Sequence, residues 1–275
     1  MCNFATKNFK IPLIVKRIAL LLCAAALMMA ACDKEDPKPE PNGDNNDYTP
    51  TYPPIAEVIY DAVTDIDGNH YDAVRIGEQI WMAANLRTTH YANGDAIPLG
   101  TDSDTLPYRY TIPQTNNIYF GYLYNWYAVM HGETSSNANP SSVQGVCPDG
   151  WHVPSDAEWM QLTDFCSTQA DYVCSGPEAT IAKALAAGYG WQSSDEDCAV
   201  GNDLSRNNNT GFSALPAGFF PGTQTSFGVY ASFWSATEAE DVNSACDFNL
   251  HHAQAIASRD AHHKYGGLSV RCVKD

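Results

Sequence analysis

Cysteine is the residue type whose number and spacing most clearly predict chemistry in this chain. Six cysteines follow an N-terminal export signal and its own cysteine, and an even number in an exported chain is typical of disulfide bonds. They are Cys147, Cys166, Cys174, Cys198, Cys246 and Cys272. Six cysteines allow fifteen pairings. We favour Cys147 with Cys272, because the last strand points Cys272 inward, and we prefer Cys166 with Cys174 and Cys198 with Cys246.

Two groups of polar residues have types that bind metal ions. The loop at residues 193–210 carries carboxylates at Asp195, Asp197 and Asp203, and oxygen ligands of this kind suit Ca²⁺. His251 and His263 flank a predicted hairpin, in which paired strands can bring imidazoles together around a transition metal. Neither group has a fixed ligand spacing, and solvated loops have the same composition. We therefore expect no cofactor, with a structural Ca²⁺ as the open alternative.

Aromatic side chains are concentrated at residues 118–130. Tyr122, Tyr124 and Trp126 lie in this run, and Trp234 lies in a later strand. Such rings can stack on sugars, but their commoner use is to fill the core between short strands. These four residues are the candidate ligand-binding residues, and both interpretations stay open.

Charge and motifs limit the possible functions. The chain has 32 acidic and 15 basic residues and a net charge of −17, which excludes nucleic acid as a partner because phosphate binding needs the opposite sign. The sequence contains no Gly-rich phosphate loop, G-x-S-x-G elbow or H-E-x-x-H helix. A role without catalysis is therefore favoured.

The element that must position the central cysteine is the segment at residues 147–159. Pro148 and Gly150 predict a turn directly after Cys147. Ser155 and Glu158 form the S-x-x-E capping box, which predicts a helix with an apolar face. A second short helix is predicted at residues 178–187, with short strands and glycine turns elsewhere, including two hairpins within residues 55–100.

The N-terminus predicts export and a lipid anchor. Residues 1–31 combine basic residues with an apolar run that is too short for a comfortable membrane span. The run ends in MAAC, which resembles a lipobox, so Cys32 is the predicted lipidation site and acyl chains such as palmitate would anchor the chain to a membrane. Residues 32–54 form an acidic, Pro-rich tether whose opening KED resembles the surface-export signal of Bacteroidetes lipoproteins. We therefore expect a protein anchored in the outer membrane and exposed on the cell surface.

Six sequence blocks in order resemble the Fibrobacter succinogenes major paralogous domain family. They are WMAANL (81–86), GYLYNWYA (121–128), CPDGWHVPSDAEW (147–159), GFSALPAG (211–218), FWSATE (233–238) and GLSVRC (267–272). The resemblance implies a single domain at residues 55–275. Members of the family are mostly exported or lipid-anchored bacterial proteins without an established activity, so it implies location more than function.

A more distant resemblance concerns the fold. The helix start VPSDAEW and the closing strand at residues 267–271 resemble the formylglycine-generating enzyme group, whose fold is C-type-lectin-like. This implies an α+β domain with two short helices, short twisted antiparallel strands, long loops and disulfide bonds. The activity is not implied, because those enzymes use a copper-binding cysteine pair near the end of the chain, and here Cys246 stands far upstream of Cys272.

These observations together predict a lipid-anchored, non-catalytic binding or adhesion module for a glycan or a protein. Two alternatives stay open. The first is an extracellular enzyme acting on carbohydrate, which needs convergent polar groups in one cleft. The second is a structural component of a surface assembly or pilus, which needs a large apolar patch or an open strand edge.

Overall fold

The structure is a computed structural model and describes residues 51–100, 105–174, 180–221 and 226–275. They belong to one unit, Asn45–Asp275. The predicted signal, the lipidation site at Cys32 and residues 32–50 of the tether lie outside the described residues. Within the described ranges, no helix combines the length and the apolar character that crossing a membrane requires.

Eleven strands occur in the described part of the chain. In chain order they are β1 (Glu57–Thr64), β2 (His70–Ile76), β3 (Gln79–Met82), β4 (Arg109–Tyr110), β5 (Leu123–Asn125), β6 (Trp151–His152), β7 (Tyr230–Glu238), β8 (Ser244–His251), β9 (Ser258–His263), β10 (Gly267–Leu268) and β11 (Val273–Lys274). They form three antiparallel sheets, with the orders β1-β2-β3-β11-β6, β10-β5-β4 and β7-β8-β9. The neighbouring strands β1, β2 and β3 confirm the two predicted hairpins.

The last strand returns to the middle of the chain. Strand β11 lies between β3 and β6, and Val273 pairs with both Trp81 and His152. Leu268, Val270 and Cys272, which the sequence places on one face, all lie in the same buried cluster. The predicted last strand, residues 267–272, is thus only partly formed: Gly267–Leu268 is β10 and pairs with β5, whereas the pairing with β3 and β6 is made by Val273–Lys274, just after Cys272.

Three short helices accompany the sheets in the described residues: α1 (Trp126–Met130), α2 (Asp156–Ser167) and α3 (Ala182–Leu185). The capping box that begins α2 is present as predicted. The Glu158 N–H donates to Ser155 Oγ over 3.1 Å, and the Ser155 N–H donates to Glu158 Oε2 over 2.9 Å. Four residues of this helix share an apolar face by their spacing, and of these Trp159, Leu162 and Cys166 are buried, whereas Phe165 is half-buried.

The second predicted helix, at residues 178–187, is much shorter than expected. Within the described residues only Ala182–Leu185 is α-helical, and Glu178 lies outside them. Ala186 has an extended backbone and forms a parallel bridge with Ala214, while the Ala187 N–H donates to the Ala214 carbonyl over 2.8 Å. The pairing of Ala186 with Ala214 therefore ends the helix at Leu185, two residues before its predicted end.

The expected α+β, C-type-lectin-like fold is wrong, because the described chain is mainly β. Its α-helices have 12, 5 and 4 residues, whereas three antiparallel sheets supply most of the regular structure. The capping box is a local signal that specifies where a helix begins. It does not determine how much of the domain is helical, which depends on pairing between distant strands.

One of the three expected disulfide bonds is confirmed, and the other two are wrong. Cys147 is bonded to Cys272, across 125 positions of sequence. The expected pairs Cys166 with Cys174 and Cys198 with Cys246 are wrong, because Cys174 is bonded to Cys198. Cys166 and Cys246 are free thiols. Cys166 lies on the core face of α2, where it packs among apolar side chains.

Candidate functional site

Three of the four candidate sugar-stacking residues lie in the core. Tyr124, Trp126 and Trp234 are buried, and each donates its polar hydrogen to a backbone carbonyl. Tyr124 Oη donates to Thr88, Trp126 Nε1 donates to Ser235, and Trp234 Nε1 donates to Tyr124, over 2.7, 3.0 and 2.7 Å. Their polar groups are satisfied inside the fold and their rings are covered. The sugar-stacking interpretation is therefore wrong for these three residues.

Tyr122, the fourth candidate, is half-buried and lines a cleft of about 440 Å³. Asn69, Arg87, Thr115 and Asn116 supply much of the polar lining, and Ile118 adds an exposed apolar side chain. We call this cavity the Arg87 cleft. Among the described residues that line it there is no carboxylate, although the chain as a whole is strongly acidic.

The side chain of Arg87 is fixed by its neighbours on β2. Its guanidinium lies over the ring of Tyr71, with the carbon 4.6 Å from the ring centroid. Nε donates to Asn69 Oδ1 over 3.2 Å, and Nη2 donates to the His70 carbonyl over 3.0 Å. The Arg87 N–H also donates to Tyr71 Oη over 3.0 Å, so both backbone and side chain are held. Nη1 is buried without a hydrogen-bond partner.

A 3₁₀ turn, Ile118–Phe120, contributes the side chain of Ile118 to the lining of the Arg87 cleft. Asn117 caps this turn, because its Oδ1 accepts the Tyr119 N–H over 3.0 Å. Gly121 follows with a φ of +71°, and a Cβ there would lie 2.4 Å from the Leu86 carbonyl oxygen. Only glycine fits this close approach, which places Tyr122 beside the segment that carries Arg87.

Two carboxylates on the turn between β1 and β2 bind residues close to Arg87. Asp65 accepts hydrogen bonds from Asn69 Nδ2 and Tyr71 Oη, over 2.9 and 2.7 Å. Asp67 accepts from the Thr89 N–H over 2.5 Å and pairs with His90 Nδ1 over 2.6 Å. Although burial raises the pKa of Asp67, these hydrogen bonds lower it to about 2. Both carboxylates are therefore engaged: Asp65 binds residues of its own turn and of β2, and Asp67 binds Thr89 and His90 in the segment after β3.

The structure does not bring His251 and His263 together. His263 lies on β9 opposite Ser244, the first residue of β8, whereas His251 is the last residue of β8. At about 3.3 Å per residue, seven steps separate them by roughly 23 Å. Burial and the neighbouring His252 lower the pKa of His251, and His263 stacks on Tyr265. The interpretation of these two histidines as a joint metal site is therefore wrong.

The candidate calcium ligands lie on the surface. Asp195, Asp197 and Asp203 are exposed, and the Asp203 carboxylate accepts the Ser205 hydroxyl over 2.5 Å. No group of three or more His, Cys, Asp or Glu side chains with metal-binding geometry occurs among the described residues. A structural Ca²⁺ stays an untested prediction.

The carbonyl oxygens of this loop converge on a lysine instead. Lys183 is buried, and its Nζ donates to the carbonyls of Ala199, Asn202 and Asp203, at 3.2 Å for the first and the last. Burial and the nearby charge of Arg206 lower the pKa of Lys183. The loop therefore has a cation of its own at its centre.

Sequence reasoning missed a buried acid–histidine pair on the β7-β8-β9 sheet. The Asp247 side chain is fully buried, and its Oδ2 accepts from His262 Nδ1 and Asn249 Nδ2, both over 3.0 Å. Its Oδ1 is buried without a partner. The hydrogen bond to Asp247 raises the pKa of His262. The sequence does show Asp247 among apolar residues of β8. It does not show which histidine binds Asp247, because that depends on the register between β8 and β9.

Sequence reasoning also missed Arg87, the one charged residue that lines the cleft in the described structure. It follows the WMAANL block directly, and nothing in its type or spacing marks it as a binding residue. Its position depends on contacts with Asn69, His70 and Tyr71 on the turn and strand before it. A predicted hairpin alone does not indicate which following side chain packs back onto it.

Within the part of the chain that the structure describes, three antiparallel sheets, short helices and two disulfide bonds define a disulfide-stabilised, mainly β domain. The family model described as the Fibrobacter succinogenes major domain matches residues 74–274. The chain therefore belongs to the Fibrobacter succinogenes major domain family, as its six sequence blocks indicate. No curated protein and no solved structure matches the chain, and the more distant lectin-like resemblance is not confirmed.

Proposed function

We propose that this protein is a non-catalytic binding module that holds a glycan in the Arg87 cleft. The observation that carries the proposal is the lining of the cleft, which combines amide, hydroxyl and guanidinium groups with the exposed side chain of Ile118 and the half-buried ring of Tyr122. Sugars present hydroxyl groups beside apolar C–H faces. A cleft with a few polar groups on an apolar wall suits both features.

The composition of the lining favours binding over cleavage. Most glycosidases use two carboxyl groups that flank the scissile bond. The described lining of the Arg87 cleft supplies none, and the nearby Asp65 and Asp67 are engaged in hydrogen bonds with Tyr71 and His90. The polar groups present can orient a sugar but cannot act as the acid and base of hydrolysis.

We also propose that the module is lipid-anchored at Cys32 and displayed on the outer surface of the outer membrane. The support is the sequence of residues 1–54, with its short apolar run, its lipobox-like MAAC and its acidic tether. A tether rich in proline is extended, so it would hold the domain away from the bilayer and leave the Arg87 cleft open to extracellular glycans.

Glycan-array binding of the purified protein tests the proposed function. We expect binding to a defined set of glycans. Asn116→Ala should weaken it about tenfold, the loss expected for one hydrogen bond of about 1.4 kcal/mol. Asn116 is exposed and lines the cleft, so this substitution should leave the thermal unfolding temperature unchanged.

Tyr265→Ala is the matched control. Tyr265 is exposed and does not line the cleft, and its ring stacks on His263. It should bind every glycan as the unsubstituted protein does. Absence of glycan binding by the folded protein, or equal binding by the Asn116→Ala variant, would contradict the proposal.

A further inference from the structure

We infer that the Arg87 cleft selects an acidic glycan, one whose sugar ring carries a carboxylate, as a uronic acid does, and that Arg87 pairs with this carboxylate. The inference rests on the proposed glycan-binding function and names the class of sugar. Three observations support it. Arg87 has no carboxylate partner in the described part of the chain, the neighbouring Asp65 and Asp67 are engaged in other hydrogen bonds, and the guanidinium has donors that make no hydrogen bond.

Arg87 has no ion pair among the described residues, in a chain where acids outnumber bases 32 to 15. Of the other partly exposed arginines, Arg75 and Arg259 pair with carboxylates, at 2.9 Å to Glu57 and 2.7 Å to Asp156, whereas Arg109 donates to a carbonyl and lies over a tyrosine ring. The partners of Arg87 are a carbonyl, an amide and the face of Tyr71, and all of these are neutral. Its positive charge therefore lacks a counter-ion at the cleft.

The carboxylates of the adjacent turn do not supply that counter-ion. Asp65 accepts from the backbone N–H groups of Asp67 and Asn69, in addition to Asn69 Nδ2 and Tyr71 Oη. Asp67 is held by Thr88, Thr89 and His90. Moving either side chain to Arg87 would break several of these hydrogen bonds. An anion that pairs with Arg87 has to come from a ligand.

The guanidinium also has unused donors. Nε and Nη2 each make one hydrogen bond, whereas the buried Nη1 makes none. A carboxylate can accept two parallel hydrogen bonds from an arginine, and such pairs are stronger than neutral hydrogen bonds. Because Nη1 is enclosed, we expect a ligand oxygen to reach it only after a small rearrangement of the surrounding side chains.

A purely structural role for Arg87 makes a different prediction. Stacking on Tyr71 and bonding to His70 would stabilise the turn, and losing these contacts would weaken the binding of charged and neutral sugars alike. Recognition of a carboxylate would instead affect the acidic sugar alone. A matched pair of ligands therefore separates the two roles.

The experiment compares an oligogalacturonate with its carboxyl-reduced, neutral counterpart by titration calorimetry on the full chain. We expect the acidic form to bind at least tenfold more tightly, and we expect this preference to shrink as the salt concentration rises. Arg87→Gln should abolish the preference, so that the variant binds the acidic form no more tightly than the neutral form, whereas a purely structural role would weaken both forms and keep the preference. Arg75→Gln, which removes an arginine outside the cleft, should retain the preference.

Three results would overturn the inference. They are equal binding of the two forms by the unsubstituted protein, a preference that persists in the Arg87→Gln variant, and an array on which every bound glycan is neutral. In each case glycan binding itself still stands, so the proposed function survives. Absence of binding to any glycan overturns both proposals. If Arg87→Gln does not fold, the unsubstituted protein's preference and its salt dependence decide the question.

Discussion

At the scale of single residues, a buried cation is held by backbone carbonyls and an amide instead of by acids. The Arg271 side chain is fully buried. Nε donates to Asn85 Oδ1, Nη1 to the carbonyls of Met82 and Phe212, and Nη2 to the Ser213 carbonyl. Burial lowers the pKa of Arg271 to about 9, so the group is still charged at neutral pH. One guanidinium therefore joins three segments that are far apart in sequence.

Arg271→Lys should lower the free energy of unfolding by about 3 to 5 kcal/mol. Lysine keeps the charge but cannot reproduce the planar set of donors, so buried acceptors lose their partners. Urea unfolding followed by tryptophan fluorescence measures the change. The control is Arg259→Lys, at a partly exposed arginine that pairs with Asp156, for which we expect a change below about 1 kcal/mol. Similar effects at both positions would show that the buried contacts of Arg271 contribute little.

At the scale of the elements, Glu158 at the start of α2 both caps the helix and binds a buried histidine. The His152 side chain, 3% exposed, lies between Glu158 Oε1 at 2.7 Å and Asp275 Oδ1 at 2.8 Å. Glu158 uses its other oxygen for the capping box and for the Ser141 N–H. The same carboxylate therefore caps α2 and binds the histidine on β6, and Asp275 extends the contact to the residue after β11.

Local signals in the sequence predicted this element only in part. Ser155 and Glu158 are three residues apart, so the cap can be recognised from sequence alone. The contact between His152 and Asp275 spans 123 residues and depends on β11 lying beside β6. The candidate site shows the same limit. Tyr122 could be selected as an aromatic residue, whereas Arg87 is defined by contacts that only the fold creates.

His152 should make the stability of the protein depend on pH. Although burial lowers the pKa of His152, the hydrogen bonds and charges of Glu158 and Asp275 raise it above its ordinary value of 6.5. Protonation therefore favours the folded state. The resulting stability is fully present below about pH 6.5 and is lost as the pH rises through the higher pKa of the folded protein.

Urea midpoints measured between pH 5 and pH 9 check this expectation. His152→Gln should flatten the decrease at the alkaline end, but not completely, because Asp247 also raises the pKa of His262. His70→Gln is the control, since its side chain is 65% exposed and the variant keeps the contacts of His152 that cause the decrease at the alkaline end. A profile of the His152→Gln variant parallel to that of the unsubstituted protein would contradict the assignment.

At the scale of the whole described domain, the bridge between Cys147 and Cys272 ties the middle of the chain to its last strand. The bridge stands where β11 enters the five-stranded sheet, next to β6. The family match at residues 74–274 includes both cysteines and runs from β2 to β11. The second bridge, between Cys174 and Cys198, joins only neighbouring parts of the chain, across 24 positions. The two bridges should therefore contribute unequally to stability.

Removing the two bridges separately tests this inequality. In the chain-entropy model, the loop across 125 positions corresponds to about 5 kcal/mol and the loop across 24 positions to about 3.5 kcal/mol. We therefore expect the double variant Cys147→Ser with Cys272→Ser to lower the free energy of unfolding more than Cys174→Ser with Cys198→Ser. Urea unfolding of both variants, with the unsubstituted protein as reference, measures the difference. An equal or reversed order would mean that loop closure does not govern the stability of this domain.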